Sequence, residues 1–360
     1  MKWLNILGLL GVISGSAFAE GISVKAADPA RNCQNCHAQI KSRLHFSDGS
    51  SQTLQVDETQ LNDSIHGGRL GCSDCHQEKW GNTHPSVESR SVRDFSIKQS
   101  ETCKRCHFAH YTRQVDGIHF KLLNQGRTDA PTCVDCHGAH DVKDPKNPRV
   151  VMNRKCGACH KEVMKTYENS IHGKGLVEAN QDHPLCIDCH GAHKIEKSDE
   201  MNFRVSVHLV CGKCHGDAER MKKYNLNPNV LSTYLDDFHG MSNQFYQTQG
   251  KDGAQAKKYF ATCTDCHGAH DVQSLRNKDS AGQVRKKVIK TCVSCHKTGK
   301  DWLADAWLSH QKPTRETAHW VWGVKKFYSF LIPLIMAGLL LHILLHLWKL
   351  RSNRSKGKQK

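Results

Sequence analysis

Residues 156–193 read CGACHKEVMKTYENSIHGKGLVEANQDHPLCIDCHGAH. Two CxxCH motifs bracket a central Ser170-Ile171-His172-Gly173, and the second motif continues to His193, three residues past its own histidine. The same phrase recurs along the chain. Residues 103–140 pass from CKRCH through Gly117-Ile118-His119 to CVDCHGAH, and residues 211–270 pass from CGKCH through Asp237-Phe238-His239-Gly240 to CTDCHGAH. Residues 33–76 give CQNCH, Ser64-Ile65-His66-Gly67 and CSDCH, while CVSCH stands alone at 292–296. First-cysteine spacings of 39, 31, 30, 23, 30, 25, 52 and 29 residues resolve into four two-motif repeats and one terminal motif.

All 18 cysteines fall in these nine motifs. They are Cys33 and Cys36 with His37, Cys72 and Cys75 with His76, Cys103 and Cys106 with His107, Cys133 and Cys136 with His137, and Cys156 and Cys159 with His160. Cys186 and Cys189 with His190, Cys211 and Cys214 with His215, Cys263 and Cys266 with His267, and Cys292 and Cys295 with His296 complete the set. Two thiols two residues apart suit thioethers to the two vinyl groups of one haem, and the adjoining imidazole suits the proximal iron position. A zinc ribbon needs two CxxC pairs per metal, and nine is odd. A disulfide framework gives no reason for a histidine after every second cysteine. The motifs predict nine covalently bound haem c groups.

The rest of the chain is too polar for a conventional interior. The 360 residues are 38% hydrophobic, and without the cysteines and two terminal apolar runs the figure falls to roughly 28%, against 45–50% in ordinary domains. Porphyrins would have to take the place of greasy side chains. The expected fold class is therefore mainly α and irregular: short helices and loops around a stacked haem array, little β, and one C-terminal transmembrane helix. The formal charge of +16 with a pI near 9.1 would ordinarily invite anionic partners. Ionised propionates bring that charge to about +7 with ferric and about −2 with ferrous haem, so no nucleic-acid partner is expected.

The two ends supply a compartment. Residues 1–19, MKWLNILGLLGVISGSAFA, have the charged start, apolar run and Ala17-Phe18-Ala19 finish of a secretory signal. Residues 327–348, FYSFLIPLIMAGLLLHILLHLW, form an uncharged stretch long enough to cross a bilayer as one helix. The tail 349–360 holds six basic residues and no acid, which favours the cytoplasmic side. Residues 20–324 are thus expected to form a periplasmic haem domain on a single-pass inner-membrane protein.

The doubled CxxCH repeats over residues 33–296 resemble membrane-bound multihaem c-type cytochromes, similar to haem subunits of bacterial quinol-oxidising complexes. The resemblance implies electron transport in anaerobic respiration, between a b-type cytochrome or other quinol-oxidising membrane subunit and a periplasmic redox acceptor. One departure is that the anchor here is C-terminal, whereas quinol-dehydrogenase cytochromes of this kind carry an N-terminal one. The alternative, from another functional class, is a terminal reductase of a small nitrogen or sulfur oxyanion at one open-site haem. No catalytic residue is assigned.

Distal iron ligands decide between these readings. Nine proximal and two membrane-segment histidines leave fourteen for nine distal positions. The central histidines His66, His119, His172 and His239 lie between two motifs and can reach over a ring from a separate loop. A second set, His110, His140, His193 and His270, follows a proximal ligand by three residues. Each shares a side with its own proximal ligand and would have to serve a neighbouring haem. His310 or His319 completes the nine, and His84 could stand in for the residue that the second motif lacks three positions on. His45, His183 and His208 rank after them, and at least five histidines are left for propionates or solvent.

Two further features stand outside the motifs. His342 and His346, four apart on one face of the membrane helix, are candidates for a quinone or for a haem b shared with a partner subunit. At about 1.5 Å per residue His346 lies about 30 Å along the helix from Lys326, so direct transfer to the external haems would be slow. The longest motif-free interval, Gly216–Thr262, carries Tyr224, Tyr234, Tyr246 and Tyr259; it reads as helices packed over haems, or as a pocket or partner surface.

Overall fold

In the computed structural model, the alternation of the two motifs in the second, third and fourth repeats becomes an alternation of two kinds of helix, while both motifs of the first repeat lie on short ones, Gln34–His37 and Cys72–Cys75. Residues 33–76, 87–144, 150–177, 180–198, 200–249, 260–274, 278–298 and 310–356 are described. The signal-like segment 1–19, His84 and Tyr259 lie outside them. The third, fifth, seventh and ninth motifs end a longer helical run: Val92–Ser100 continuing as the 3-10 turn Glu101–Arg105, then Val150–Cys159, Met201–His215 and Lys278–Cys295. The second, fourth, sixth and eighth make their own short helices, Cys72–Cys75, Cys133–His137, Cys186–His190 and Cys263–His267.

A single residue explains the short ones. Each of these motifs reads CxDCH, and its aspartate accepts a bond from the backbone N–H of the residue before the first cysteine. The distances are 2.7 Å for Gly71 to Asp74 and 2.6 Å for Thr132 to Asp135, Leu185 to Asp188 and Thr262 to Asp265. This satisfies an amide that a helix start leaves open, so the turn closes locally. Glycines at φ 81, 74 and 80 then end three of the helices at Gly138, Gly191 and Gly268. An added Cβ would collide with Asp141 Oδ1 at the first and with Asp271 Oδ1 at the last, and left-handed backbone favours glycine in any case. The chain therefore turns away sharply before the third-residue histidine.

The chain divides into two units, residues 1–115 with 119–152, and 116–118 with 153–360. In the first, strands Arg43–His45 and Ser51–Thr53 pair antiparallel, and Phe46 beside them is buried with its ring 5.9 Å from that of Phe95. Arg93 grips Asp135 at 2.8 Å through both carboxylate oxygens, tying the helix before the third motif to the cap of the fourth. In the second unit Arg204 holds Asp265 the same way, at 2.8 Å, with a further bond of 3.0 Å to the Phe260 carbonyl. Helices Ala218–Lys223, Val230–Asp236 and Phe238–Gln249 occupy much of the long interval, the last two packing on Met201–His215. Tyr234 is buried among them and donates to the Ala261 carbonyl at 3.0 Å.

Only nine hydrophobic side chains are buried among the described residues, from Phe46 to Val284. Helix His319–Lys356 is different in kind: it exposes its apolar side chains along its length, carries Pro333 inside, and is long and apolar enough to cross a membrane.

Burial works against ionisation of Asp265, yet Arg204 and the Thr262 amide outweigh it and hold the carboxylate below its ordinary range. At Asp135 burial is likewise outweighed, by the Thr132 amide and Arg93. Stability from these groups is fully present above about pH 4 and is lost as pH falls through the lowered folded value. Asp265→Asn should cost about 1–2 kcal/mol at neutral pH, read as a lower Tm by circular dichroism, and should flatten the melt's dependence on pH below 4.

Candidate haem-binding centres

The chain folds so that imidazoles from different repeats face each other in pairs. His66 and His107 have ring centroids 6.0 Å apart, His172 and His215 6.3 Å, and His239 and His296 6.3 Å. In each case the central histidine of one repeat meets the first proximal histidine of the next. His140 lies 6.0 Å from His76, and His270 lies 5.9 Å from His190. Here the third-residue histidine of one repeat meets the second proximal histidine of the repeat before. His310, from beyond the last motif, lies 6.1 Å from His267 and fills the corresponding place for the eighth motif.

This spacing fits an iron. Two metal–nitrogen bonds of about 2 Å plus the half-widths of two imidazoles total about 6 Å between centroids. Spacing alone is insufficient, because His107 and His110 are also 6.1 Å apart. Those two are near neighbours on one stretch of chain, and both would approach the same side of a ring. The six pairs above come from separate elements and can close opposite faces.

A backbone bond recurs beside the paired histidines. The Ile65 N–H donates to the Val142 carbonyl, Ile118 to Ile195, and Ile171 to Val272, each at 2.8 Å. The donor adjoins the central histidine of one repeat, and the acceptor lies two residues past the third-residue histidine of the next. His119 and His193 hold the same sequence positions beside Ile118 and Ile195 as His172 and His270 hold beside Ile171 and Val272.

The electrostatics suit neutral ligands. Burial pushes His172 and His310 down to about 4, and it lowers His66, His76, His140, His190, His215 and His267 as well. A neutral imidazole keeps the lone pair that a metal needs. His37 Nδ1 lies 2.7 Å from the Leu54 carbonyl, a contact that orients the ring. Phe203 stacks on His190 at 5.3 Å with the rings 3° from parallel.

The attachment thiols are ordered too. The first cysteines of the two motifs in each repeat hydrogen-bond to one another: Cys33 with Cys72, Cys103 with Cys133, Cys156 with Cys186, and Cys211 with Cys263. The bond from Cys133 holds Cys103 down to about 7, and that from Cys186 does the same for Cys156. The second cysteine of an even motif feels both thiols of the following motif, as Cys75 feels Cys103 and Cys106, Cys189 feels Cys211 and Cys214, and Cys266 feels Cys292 and Cys295.

The other candidate histidines have different neighbours. His319 opens the apolar helix beside Trp320, 5.4 Å away. His110 and His45 are exposed. His183 Nδ1 sits 3.0 Å from the His172 carbonyl with Tyr224 edge-on at 6.0 Å, so it supports the backbone of a paired histidine. His208 is buried, with Nδ1 2.9 Å from Asn243 Nδ2 and its ring near Tyr234. Three residues before Cys156, the buried Asn153 accepts from the Cys186 N–H at 2.8 Å. Sequence reasoning missed Asn153, the capping aspartates and the motif that each distal histidine serves; the recurring Asp in CxDCH was the one visible signal.

The chain is similar to the cytochrome c-type protein NrfB of Haemophilus influenzae, 22% identical over 226 residues that cover 62% of this chain and 75% of that protein. No protein-family model matches the chain, and no solved structure matches it with significance. The similarity, together with the CxxCH motifs, supports a multihaem c-type cytochrome with covalently bound haem c.

His310→Ala in the haem-loaded protein should turn one ferric haem high-spin in low-temperature electron paramagnetic resonance, whereas His319→Ala should leave the spectrum unchanged. Equal spectra for the two variants would reject the His267–His310 pairing as a ligand set.

Proposed function

We propose that the protein is a nonahaem electron relay that connects a quinol-linked partner in the cytoplasmic membrane with redox acceptors in the periplasm. When bound, each haem supplies a one-electron ferric/ferrous couple. The proximal histidines of the nine motifs and the distal set His66, His119, His140, His172, His193, His239, His270 and His310 would hold the irons. His119 and His193 are assigned by their places in the repeat, and His110 or His84 remains for the motif of His37. Residues 20–324 lie outside the membrane, helix 327–348 anchors them, and the basic tail 349–360 faces the cytoplasm.

The observation that carries this reading is the set of six cross-repeat imidazole pairs. A face closed by a second imidazole has no room for a substrate, which favours relay over reductase at those motifs. Bis-histidine ligation also favours low potentials, as a respiratory chain of low driving force requires. The neighbouring attachment cysteines support short transfer distances, because haems attached to them would lie near one another. Backbone bonds beside His66, His119 and His172 hold three of the central histidines in place.

Reductive titration of the purified protein should show nine haems reduced in overlapping, reversible steps, all low-spin when ferric. A stoichiometric high-spin ferric haem would turn the assignment toward a reductase. In native membranes, menaquinol should reduce the haems, and gentle detergent extraction should retain a b-type or other quinol-oxidising subunit.

A further inference from the structure

Three residues before the first cysteine of the third, fifth and seventh motifs the chain places a buried polar side chain: Ser100 before Cys103, Asn153 before Cys156 and His208 before Cys211. Of these residue types, histidine alone titrates near neutral pH. The tyrosines that accompany the place also correspond. Tyr167 and Tyr234 each stand five residues before a central histidine, and each donates its hydroxyl to a carbonyl two residues before the next motif, at Pro184 and at Ala261. In the third repeat the place is filled by Asn153, which accepts from the Cys186 N–H at 2.8 Å. In the fourth it is filled by an imidazole.

His208 is 2% exposed and Asn243 is wholly buried. Asn243 Nδ2 lies 2.9 Å from His208 Nδ1 and 3.2 Å from the Tyr234 hydroxyl, whereas Asn243 Oδ1 is buried with no hydrogen-bond partner. This arrangement suits a neutral ring whose Nδ1 accepts. A proton added there would turn Nδ1 into a donor, and the amide, rotated by half a turn, would meet it with Oδ1. Two protonation states of the imidazole are thus matched by two orientations of one side chain. The Val205 carbonyl bonds to the ring and favours the charged form, while burial opposes it more strongly and holds His208 below its ordinary value.

The charged groups on the elements packed against helix Met201–His215 are engaged or exposed. Arg204 holds Asp265, Arg220 reaches the Cys214 sulfur and Lys223 holds Asp182. Asp188 accepts from the Leu185 N–H and Asp237 from the Gly240 N–H, while Glu219, Lys222 and Asp236 are exposed. His190, His239 and His267 belong to the imidazole pairs, and Tyr246 lies against Phe260. The cluster touches both attachment sites of its repeat: His208 precedes Cys211 on one helix, Tyr234 feels the Cys263 thiol, and Cys211 and Cys263 are neighbours. We infer that His208 couples proton to electron transfer at the haems of the seventh and eighth motifs: when a ferric haem there accepts one electron, His208 Nδ1 takes up a proton from solvent, and reoxidation releases it. The electron comes from the donor of the relay, and the one bond formed is N–H. An added negative charge raises the imidazole's affinity for a proton, and by the same coupling the proton raises the haem's affinity for an electron. The inference rests on the relay reading above and adds a proton to it.

The test uses the full-length, haem-loaded protein in detergent, with midpoint potentials measured from about pH 5 to about pH 9 and proton uptake on full reduction measured in weakly buffered solution. Potentials should fall as pH rises from the lowered value of His208 in the oxidised protein to its higher value in the reduced one. If reduction tightens proton binding tenfold, the fall totals about 59 mV, and uptake at the centre of the window is about half a proton. His208→Asn, which copies the third repeat, should lose this fall and this uptake. Asn243→Asp sets a carboxylate against the imidazole and should move the window up by about one pH unit or more. Asn153→Ser, which copies the second repeat, should change neither reading. Unchanged uptake in His208→Asn overturns the inference and assigns the pH dependence to haem propionates. An equal loss in Asn153→Ser overturns it as an effect of packing. Should His208→Asn fail to load haem, Asn243→Asp decides, and an unmoved window overturns the inference. The relay reading survives each of these results while nine haems still titrate reversibly; if they do not, that reading fails and takes the inference with it.

Discussion

The constraint on which the rest depends is that a histidine three residues beyond a CxxCH motif cannot close the haem of that motif. It approaches from the side already taken by the proximal ligand, so it must look elsewhere, and the sharp turn at Gly138 and Gly268 sends it to the preceding repeat. The central histidine is pulled the other way, toward the next repeat. In the proposed arrangement a repeat that carries both histidines therefore lends ligands forward and backward. Cohesion then comes from coordination and from the backbone bonds at Ile65, Ile118 and Ile171 more than from apolar packing, which accounts for how few hydrophobic side chains are buried.

Polar side chains take over work that a larger apolar core would otherwise do. Arg204 and Arg93 each hold a capping aspartate with two bonds while reaching a backbone carbonyl. Asn153, Asn243 and His208 are nearly or wholly buried, and each contacts a partner that orients an attachment helix or a buried tyrosine. Each of the three is paired through at least one side-chain atom, which offsets part of the cost of burial, while Asn153 Nδ2 and Asn243 Oδ1 are buried without a hydrogen-bond partner.

Much of this was legible in the chain. The motifs, the two-motif period and the C-terminal apolar stretch stand in the sequence itself, and the mainly helical fold with one small hairpin agrees with them. The partner of each histidine was not legible, because His66 and His110 are equally good imidazoles and only the three-dimensional offset between repeats separates them. The choice between His310 and His319 was hidden for the same reason: both follow the last motif, but one meets His267 and the other starts a helix beside Trp320. The aspartate caps were visible as a pattern but carried no meaning until the amides they accept from were in place. The long tyrosine-bearing interval became three short helices, with Tyr234 spent on a backbone carbonyl.

The recurring Ile-to-carbonyl bond makes each boundary a lapped joint, in which the middle of one segment overlaps the tail of its successor. Such a joint is indifferent to how many segments are laid end to end, but it forbids a break at an arbitrary point. Gene duplication could lengthen the array, and trimming could shorten it, only by whole steps taken at an end, where the outermost members must borrow a closing residue from outside the series, as His310 illustrates.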